Sequence, residues 1–193
     1  MTTLALATSP ASVRGNLAWR VLLAFAGSWL VAGLAQVQIR LPFTPVPVTG
    51  QTLGVLLVGA ALGPGLGAVS LTLYLAQGAL GLPFFAGGAG GAEFLGLASV
   101  TGGYLVGFVA AAAVVGALAQ RGWDRSLRSS ISAMFLGELV LYVVAIPWLM
   151  QALDVSLGRA LELGLAPFVI GDTLKILLAA GLLPAAWRLS KTR

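Results

Sequence analysis

The sequence contains no cysteine and no histidine among its 193 residues. Without them the chain can form no disulfide, no thiolate or imidazole metal site and no histidine general base. It also lacks a nucleotide-binding P-loop, because its lysines, Lys175 and Lys191, follow Leu174 and Ser190 rather than the glycine of a G-K-[ST] motif. We therefore expect this chain to be no enzyme, and to hold no metal and no nucleotide cofactor.

Charged residues are scarce as well. Only 9% of the residues are charged and 59% are hydrophobic, with a mean hydropathy of +0.98, whereas a soluble domain is about 25% charged. Such a chain cannot cover a globule with polar surface, so its solvent is lipid. We predict an all-α, polytopic membrane protein with one transmembrane domain at 17–188, a disordered cytoplasmic tail at 1–16 and a basic cytoplasmic tail at 189–193.

Apolar stretches divide this domain into six candidate transmembrane helices, of which four are long enough to cross a hydrocarbon core of about 30 Å. They run over 17–39, 49–63, 66–82, 99–119, 129–151 and 165–187. The second and third are short and glycine-rich, and Gly63-Pro64-Gly65 separates them. We expect two tilted helices joined by a tight turn. The alternative is a re-entrant hairpin, which leaves four full spans.

The placement of lysine and arginine predicts the orientation. With six spans, eight cations fall on one side and only Arg40 and Arg159 on the other, and the richer side normally faces the cytoplasm. Both termini are therefore expected inside, and the hairpin alternative keeps this orientation. The net charge of +5 is explained as a topology signal, so nucleic acid is not an expected partner, whereas membrane lipid is.

Asp172 and Lys175 are the two ionisable residues of the last apolar stretch. Ionised groups within a bilayer cost a few kcal/mol each and usually mark function. Their i, i+3 spacing places both on one side of a helix, facing protein or a wet cavity. The alternative is a structural pair that only holds two helices together, although apolar residues usually stabilise a bundle equally well.

Helical rise places further polar residues near this pair. Asp172 is predicted roughly 10 Å below the outer boundary and Tyr142 roughly 12 Å below it, with Glu138 one turn deeper, level with Lys175. The segment Thr101-Gly102-Gly103-Tyr104 and Gln51 fall in outer turns of their helices. We predict a polar pocket in the outer half of the bundle. Glu138 is predicted either to pair with Lys175 or to be protonated and hydrogen-bonded.

The first helix carries the small-residue stripe Ala24, Ser28 and Ala32, which suits close packing against another helix. We predict a docking role for this stripe toward a partner protein. The stripe alone leaves open whether that helix belongs to this chain or to another.

Five segments, in order, resemble the BioY family, the biotin-specific S components of energy-coupling factor (ECF) transporters. They are Leu41-Pro42-Phe43-Thr44-Pro45-Val46-Pro47-Val48-Thr49-Gly50-Gln51-Thr52-Leu53-Gly54-Val55, Gly59-Ala60-Ala61-Leu62-Gly63-Pro64, Gly81-Leu82-Pro83-Phe84-Phe85-Ala86-Gly87-Gly88, Thr101-Gly102-Gly103-Tyr104-Leu105, and Pro167 through Lys175. One departure is local: the family usually reads G-P-T-G-G-Y-L where this chain has Ser99-Val100-Thr101-Gly102-Gly103-Tyr104-Leu105.

The resemblance implies a six-helix S-component fold with both termini inside. It also implies biotin capture on the outer face of the cell membrane, with Asp172 and Lys175 touching the vitamin. A transmembrane coupling protein and two cytoplasmic ATPases would be the partners, and ATP would be used by them. Asp172 suits ureido N–H groups and Lys175 suits an acceptor oxygen.

Apolar walls are expected from Phe43, Phe85 and Tyr142, with Gln51 and Thr101–Tyr104 as weaker candidates for ligand contact. The alternative function is a self-sufficient ion- or proton-coupled carrier for a small carboxylate-bearing metabolite, with Asp172 or Glu138 as the proton-linked group.

Overall fold

Helices account for most of the chain in the computed structural model, which describes residues 3–9, 13 and 15–191. The α-helices are α1 (Leu4–Thr8), α2 (Leu17–Ala35), α3 (Gln51–Ala79), α4 (Gly102–Gln120), α5 (Leu127–Leu153), α6 (Leu157–Gly164) and α7 (Val169–Lys191). Five helical segments of the described residues are long and apolar enough to cross a membrane. The chain is thus an all-α, multi-pass membrane protein, as its composition predicts.

The long helices form a bundle with two chemically different ends. At one end the α4–α5 loop meets the last turns of α7, where the Trp187 indole N–H donates to Asp124 at 2.5 Å. We call this the arginine-rich end because it carries Arg20, Arg121, Arg125, Arg128 and Arg188. We call the opposite end, with the first turns of α3, α4 and α7, the cavity end. It carries Arg40 and Arg159, so the sequence grouping of the described cations matches the two ends of the bundle.

The α3 helix reverses direction at Gly63, where φ is +82° and ψ is 176°. The Gln51 amide donates to the Tyr74 hydroxyl at 2.5 Å, although these residues would lie about 35 Å apart along one straight helix. Gly63 has the backbone conformation that only glycine adopts without strain. The predicted tight turn between two short helices is therefore present.

The two arms of α3 run over 51–62 and 64–79 and are about 18 Å and about 24 Å long at the helical rise per residue. Gly63 packs beside the Gln120 side chain, at the end of α4. The turn therefore reaches the level at which the neighbouring helix ends. The count of six crossings and the cytoplasmic position of the termini stay predictions.

The α4 helix is the most enclosed of the long helices and packs between α3 and α5. Its buried face contributes Leu105, Phe108 and Ala112 to the main apolar core. The α2 helix packs against α3 and exposes most of its other side, including Trp29. Because that exposed surface is apolar, it suits contact with lipid.

The connections at the cavity end contain short strands, 3₁₀ turns and a short helix. Strands β1 (Gln38–Ile39) and β2 (Val48–Thr49) pair antiparallel, so the proline-rich loop between them folds back over the bundle. The α3–α4 connection contains 3₁₀ turns at Ala86–Gly88 and Ala92–Leu95. The α6 helix and the 3₁₀ turn Ala166–Phe168 lead into α7. These connections surround the mouth of the cavity described below.

The chain ends differ from the predicted tails. Residues 4–8 form α1, which packs against α3 and α7 with Thr3 and Ser9 buried. The Trp19 indole N–H donates to Ser9 at 2.8 Å. The structure thus orders this part of the tail predicted to be disordered, while residues 1, 2, 10–12 and 14 of that tail lie outside the described residues. Likewise, α7 continues to Lys191, beyond the predicted domain boundary at 188, and residues 192–193 lie outside the description.

Candidate functional site

A cavity of about 760 Å³ opens at the cavity end of the bundle. Its walls come from the β1–β2 segment, the first arm of α3, the α3–α4 connection, α4, α5 and α7. Most of its lining is apolar, and four charged residues contribute to it: Arg40, Glu93, Asp172 and Lys175. A largely apolar cavity with a few polar groups is the usual form of a small-molecule site.

The Asp172–Lys175 pair lies on the α7 wall of this cavity. The Lys175 ammonium donates to Asp172 Oδ1 and to Thr52 Oγ1, both at 2.9 Å. The Tyr142 hydroxyl donates to Asp172 Oδ2. Asp172 is in the first turn of α7, where the helix dipole favours an anion. Three helices thus converge on one buried ion pair, because α3 contributes Thr52, α5 contributes Tyr142 and α7 contributes both charges.

This cluster retains hydrogen-bonding capacity for a ligand. An ammonium has three N–H donors and a carboxylate has about four acceptor positions. In the described contacts Lys175 uses two donors, and Asp172 accepts from Lys175, from Tyr142 and, at 3.4 Å, from Thr52. One strong donor and one acceptor position therefore remain. A ligand group that carries both an N–H and a C=O complements them.

Aromatic side chains line other parts of the cavity wall. Tyr104 meets the Tyr142 ring edge-on with centroids 6.2 Å apart, and its hydroxyl donates to the Gly164 carbonyl at 2.5 Å. Phe85 is 2% exposed and packs edge-on against Tyr74. These contacts fix the rings, so the apolar walls are preformed.

The structure brings seven of the nine predicted ligand-contacting residues to the cavity wall. They are Asp172, Lys175, Tyr142, Gln51, Thr101, Tyr104 and Phe85. Gln51 is engaged with Tyr74 and Thr49, so it also holds the two arms of α3 together. Thr101 directly precedes α4, and its backbone N–H donates to the Ser99 hydroxyl. Contact of these residues with a ligand stays a prediction.

Two predicted contacts lie elsewhere. Phe43 is 62% exposed on the β1–β2 loop and is not part of the cavity lining, because the loop turns this ring outward while Val46 packs inward. Gly102 is buried beneath Trp148, whose ring would lie 2.9 Å from a Cβ at that position. Gly102 therefore serves the contact between α4 and α5 rather than the cavity wall.

The predicted docking stripe on α2 is covered by this chain. Ala24, Ser28 and Ala32 are 2%, 0% and 6% exposed. The Ser28 hydroxyl donates to the Gln77 side chain on the second arm of α3 at 2.9 Å. The stripe therefore makes an internal helix contact, which corrects the docking prediction. Small residues favour close packing without indicating which helix is the partner.

Glu138 lies one turn from Tyr142 on α5 and is 5% exposed. Neither of its carboxylate oxygens has a hydrogen-bond partner in the described part of the chain. Among the described residues, Glu138 therefore makes neither the predicted ion pair with Lys175, which pairs with Asp172, nor the predicted hydrogen bond. An ionised carboxylate in such a place is very costly, so the neutral acid is the expected form.

Sequence reasoning missed several residues that shape the site. Thr52 bridges the ion pair, and Thr44 donates to the Leu163 carbonyl at 2.6 Å, which ties the β1–β2 loop to the end of α6. Trp148 donates to the Ser99 carbonyl at 3.2 Å, next to the local departure from the family pattern. A threonine directly after Gln51 in an apolar helix was a signal for Thr52. The roles of Thr44 and Trp148 depend on how the loops fold, so the sequence carries no signal for them.

Several known proteins are similar in sequence to this chain. The sequence model of the BioY family matches residues 6–192. The "Biotin transporter BioY" of Rhizobium etli is 36% identical over 163 residues, which cover 81% of this chain and 85% of that protein. The "Probable biotin transporter BioY" of Pyrococcus horikoshii is 41% identical over 139 residues, covering 72% and 78%.

A solved structure shows the same fold. The crystal structure of the S-component for biotin from an ECF-type ABC transporter superposes with a TM-score of 0.78, covering 89% of this chain and 92% of that one at 24% identity. At this identity the likeness concerns the fold. Together with the family match over nearly the whole chain, it leads to one conclusion: the chain belongs to the BioY family.

Proposed function

We propose that this protein captures biotin at the cavity end and delivers it across the membrane as the substrate-binding component of an ECF-type transporter. The observation that carries the proposal is the Asp172–Lys175 pair on the cavity wall, supported by Tyr142 and Thr52. The names of the relatives and the described fold neighbour support the choice of vitamin.

The chemistry of biotin fits the capacity that the pair retains. Its ureido ring presents two N–H donors and one C=O acceptor, which complement the remaining acceptor position of Asp172 and the remaining donor of Lys175. The thioether ring and the aliphatic chain of biotin suit the aromatic and aliphatic walls. We assign Asp172 to the ureido N–H groups and Lys175 to an acceptor oxygen.

Energy for uptake comes from other subunits in this proposal. A transmembrane coupling protein and two cytoplasmic ATPases form the rest of the transporter, and the ATPases bind the ATP. The proposed location is the plasma membrane, with the cavity end outward as the arginine distribution predicts.

The test is a biotin titration of the purified protein and of its Asp172→Asn variant by isothermal calorimetry. We expect saturable binding to the original protein and at least about tenfold weaker binding to the variant, because a hydrogen bond to a charged acceptor is worth about 1.5–3 kcal/mol. Asp154→Asn is the matched control, since Asp154 is exposed outside the cavity at φ 53°, a conformation that asparagine tolerates. Unchanged affinity in Asp172→Asn contradicts the assignment.

Glu138 supports a second candidate, a proton-coupled carrier that works without ATPases. A buried carboxyl group that has no hydrogen-bond partner among the described residues, one turn from Tyr142, is the kind of group that carries protons in transporters. Uptake by proteoliposomes driven by a proton gradient alone, and lost in Glu138→Gln, favours this candidate. Uptake that requires ATP and added partner subunits excludes it.

A further inference from the structure

We propose that Arg40 binds the carboxylate of the ligand at the mouth of the cavity and makes the site selective for acids over their neutral derivatives. This inference rests on the proposed function and names the residue that binds the charged end of the ligand. The Asp172–Lys175 pair binds the uncharged polar ring at the other end of the cavity.

The position of Arg40 follows from the short sheet at the cavity end. Arg40 comes directly after β1, whose residues Gln38 and Ile39 pair with Thr49 and Val48. This pairing ties the segment to the start of α3, where Thr52 contacts the ion pair. Arg40 is exposed and lines the same cavity. One cavity therefore extends from the buried pair to an accessible guanidinium.

The Arg40 side chain has no hydrogen bond and no ion pair within the described residues, in contrast to the other arginine of the cavity end. Arg159 donates to Glu162 at 2.8 Å, and both side chains are exposed on α6. A guanidinium has five N–H donors arranged to hold a carboxylate by two parallel bonds. Arg40 thus keeps its full binding capacity for an anion that enters the cavity.

Charge balance directs the anion to Arg40. The Lys175 ammonium is already neutralised by Asp172 at 2.9 Å, so a second carboxylate beside this pair would leave a net negative charge in the bilayer, which is costly. Glu93 also lines the cavity, and its negative charge repels an anionic ligand end. Arg40 is the charged residue of the lining that a carboxylate neutralises without disturbing the Asp172–Lys175 pair.

The orientation of the ligand follows from these charges. The ring that carries both N–H and C=O groups enters first and reaches Asp172 and Lys175. The aliphatic chain lies along the apolar walls, and the carboxylate stays at the mouth beside Arg40. The acceptor oxygen for Lys175 is then the ring carbonyl rather than the carboxylate.

The experiment compares biotin with biotin amide, which keeps the ring and chain but lacks the negative charge. We expect the original protein to bind the acid about tenfold or more tightly than the amide, since hydrogen bonds to charged groups are the stronger ones. In Arg40→Gln the affinity for the acid should fall to near that for the amide, and the amide should bind as before. Retained amide binding shows that the variant is folded.

Three further variants sharpen the comparison. Arg40→Lys should recover part of the preference for the acid, since it restores the charge without the planar fork. Arg159→Gln, the same change at the arginine outside the cavity, should leave the preference intact. Lys175→Gln should weaken acid and amide alike. Preference for the acid that persists in Arg40→Gln, or that disappears in Lys175→Gln instead, overturns the inference while the proposed function stands. If the original protein binds neither ligand, the proposed function itself fails.

Discussion

Three buried carboxyl groups of this protein have very different hydrogen-bonding environments. Asp172 is satisfied by an ammonium and two hydroxyl groups, and Glu138 has no partner in the described part of the chain. Asp124, in the α4–α5 loop, lies between them: its Oδ2 accepts from the Trp187 indole at 2.5 Å, and its Oδ1 has no partner among the described residues. The satisfied group faces the cavity, whereas the other two are candidates for proton binding.

Burial raises the pKa of the Asp124 carboxyl, while the Trp187 hydrogen bond, its own backbone N–H and Arg125 oppose this shift. The folded protein therefore binds the Asp124 proton more tightly than the unfolded chain does. The stabilisation is complete below the unfolded-state pKa of about 4 and is lost as the pH rises through the higher folded-state pKa.

We predict that Asp124→Asn becomes more stable relative to the original protein as the pH rises above about 4. Asparagine stays neutral and can still accept from Trp187. The measurement is the thermal unfolding midpoint of both proteins in detergent from pH 4 to pH 8, with exposed Asp154→Asn as the control for the chemical change. A difference between Asp124→Asn and the original protein that does not change with pH contradicts this prediction.

The element that organises the site is the hairpin of α3. Its first arm carries Gln51 and Thr52 to the cavity, and its second arm brings Tyr74 back to the same level. The Tyr74 hydroxyl donates in turn to the Phe84 carbonyl at 3.2 Å, which fixes the start of the next connection. The turn at Gly63 lies at the opposite end of the bundle from the cavity. By reversing α3 it brings the start of the first arm and the end of the second arm together at the cavity end.

We predict that Gly63→Ala destabilises the protein by about 1–3 kcal/mol, because alanine does not adopt this backbone conformation without strain. A Cβ there would also come within 2.7 Å of the Thr3 side chain. Gly65→Ala is the matched control: Gly65 is exposed, and a Cβ meets nothing within 4 Å. Thermal unfolding in detergent should show a loss of stability for Gly63→Ala alone. Equal effects of the two changes contradict the assigned role of the turn.

The whole molecule has an arginine-rich end and a cavity end, and this polarity predicts how it lies in the membrane. Because the chain has no cysteine, a single introduced cysteine reports its own side without background. Two exposed glycines are suitable sites: Gly65 in the turn region of α3, at the arginine-rich end, and Gly158 on α6, at the cavity end.

We expect a membrane-impermeant maleimide to label Gly158→Cys in intact cells and Gly65→Cys only after permeabilisation. The reason is that the arginine-rich end should face the cytoplasm and that both arms of α3 should cross the bilayer. Lack of labelling of Gly65→Cys under both conditions favours the re-entrant hairpin. The reversed pattern shows that the orientation is wrong.

At the level of single elements, much of the structure could be predicted from the sequence. The long apolar stretches predicted the long helices, and Gly63-Pro64-Gly65 predicted the turn. The i, i+3 spacing placed Asp172 and Lys175 on one helix face, where they form an ion pair. Helical rise placed Tyr142 level with Asp172, and these two residues are hydrogen-bonded. These predictions depend only on local geometry, which the sequence specifies directly.

Only the tertiary structure showed which helix faces pack against each other. In water, an apolar helix face is the buried one, but in lipid both faces of a helix are apolar, so hydrophobicity does not separate inside from outside. For this reason the sequence could not show that Ala24, Ser28 and Ala32 pack against α3 or that Phe43 points outward. The position of Arg40 at the cavity mouth likewise depends on how a loop pairs its two short strands. Composition thus determined the lipid environment and the long apolar helices, and helix packing determined the site.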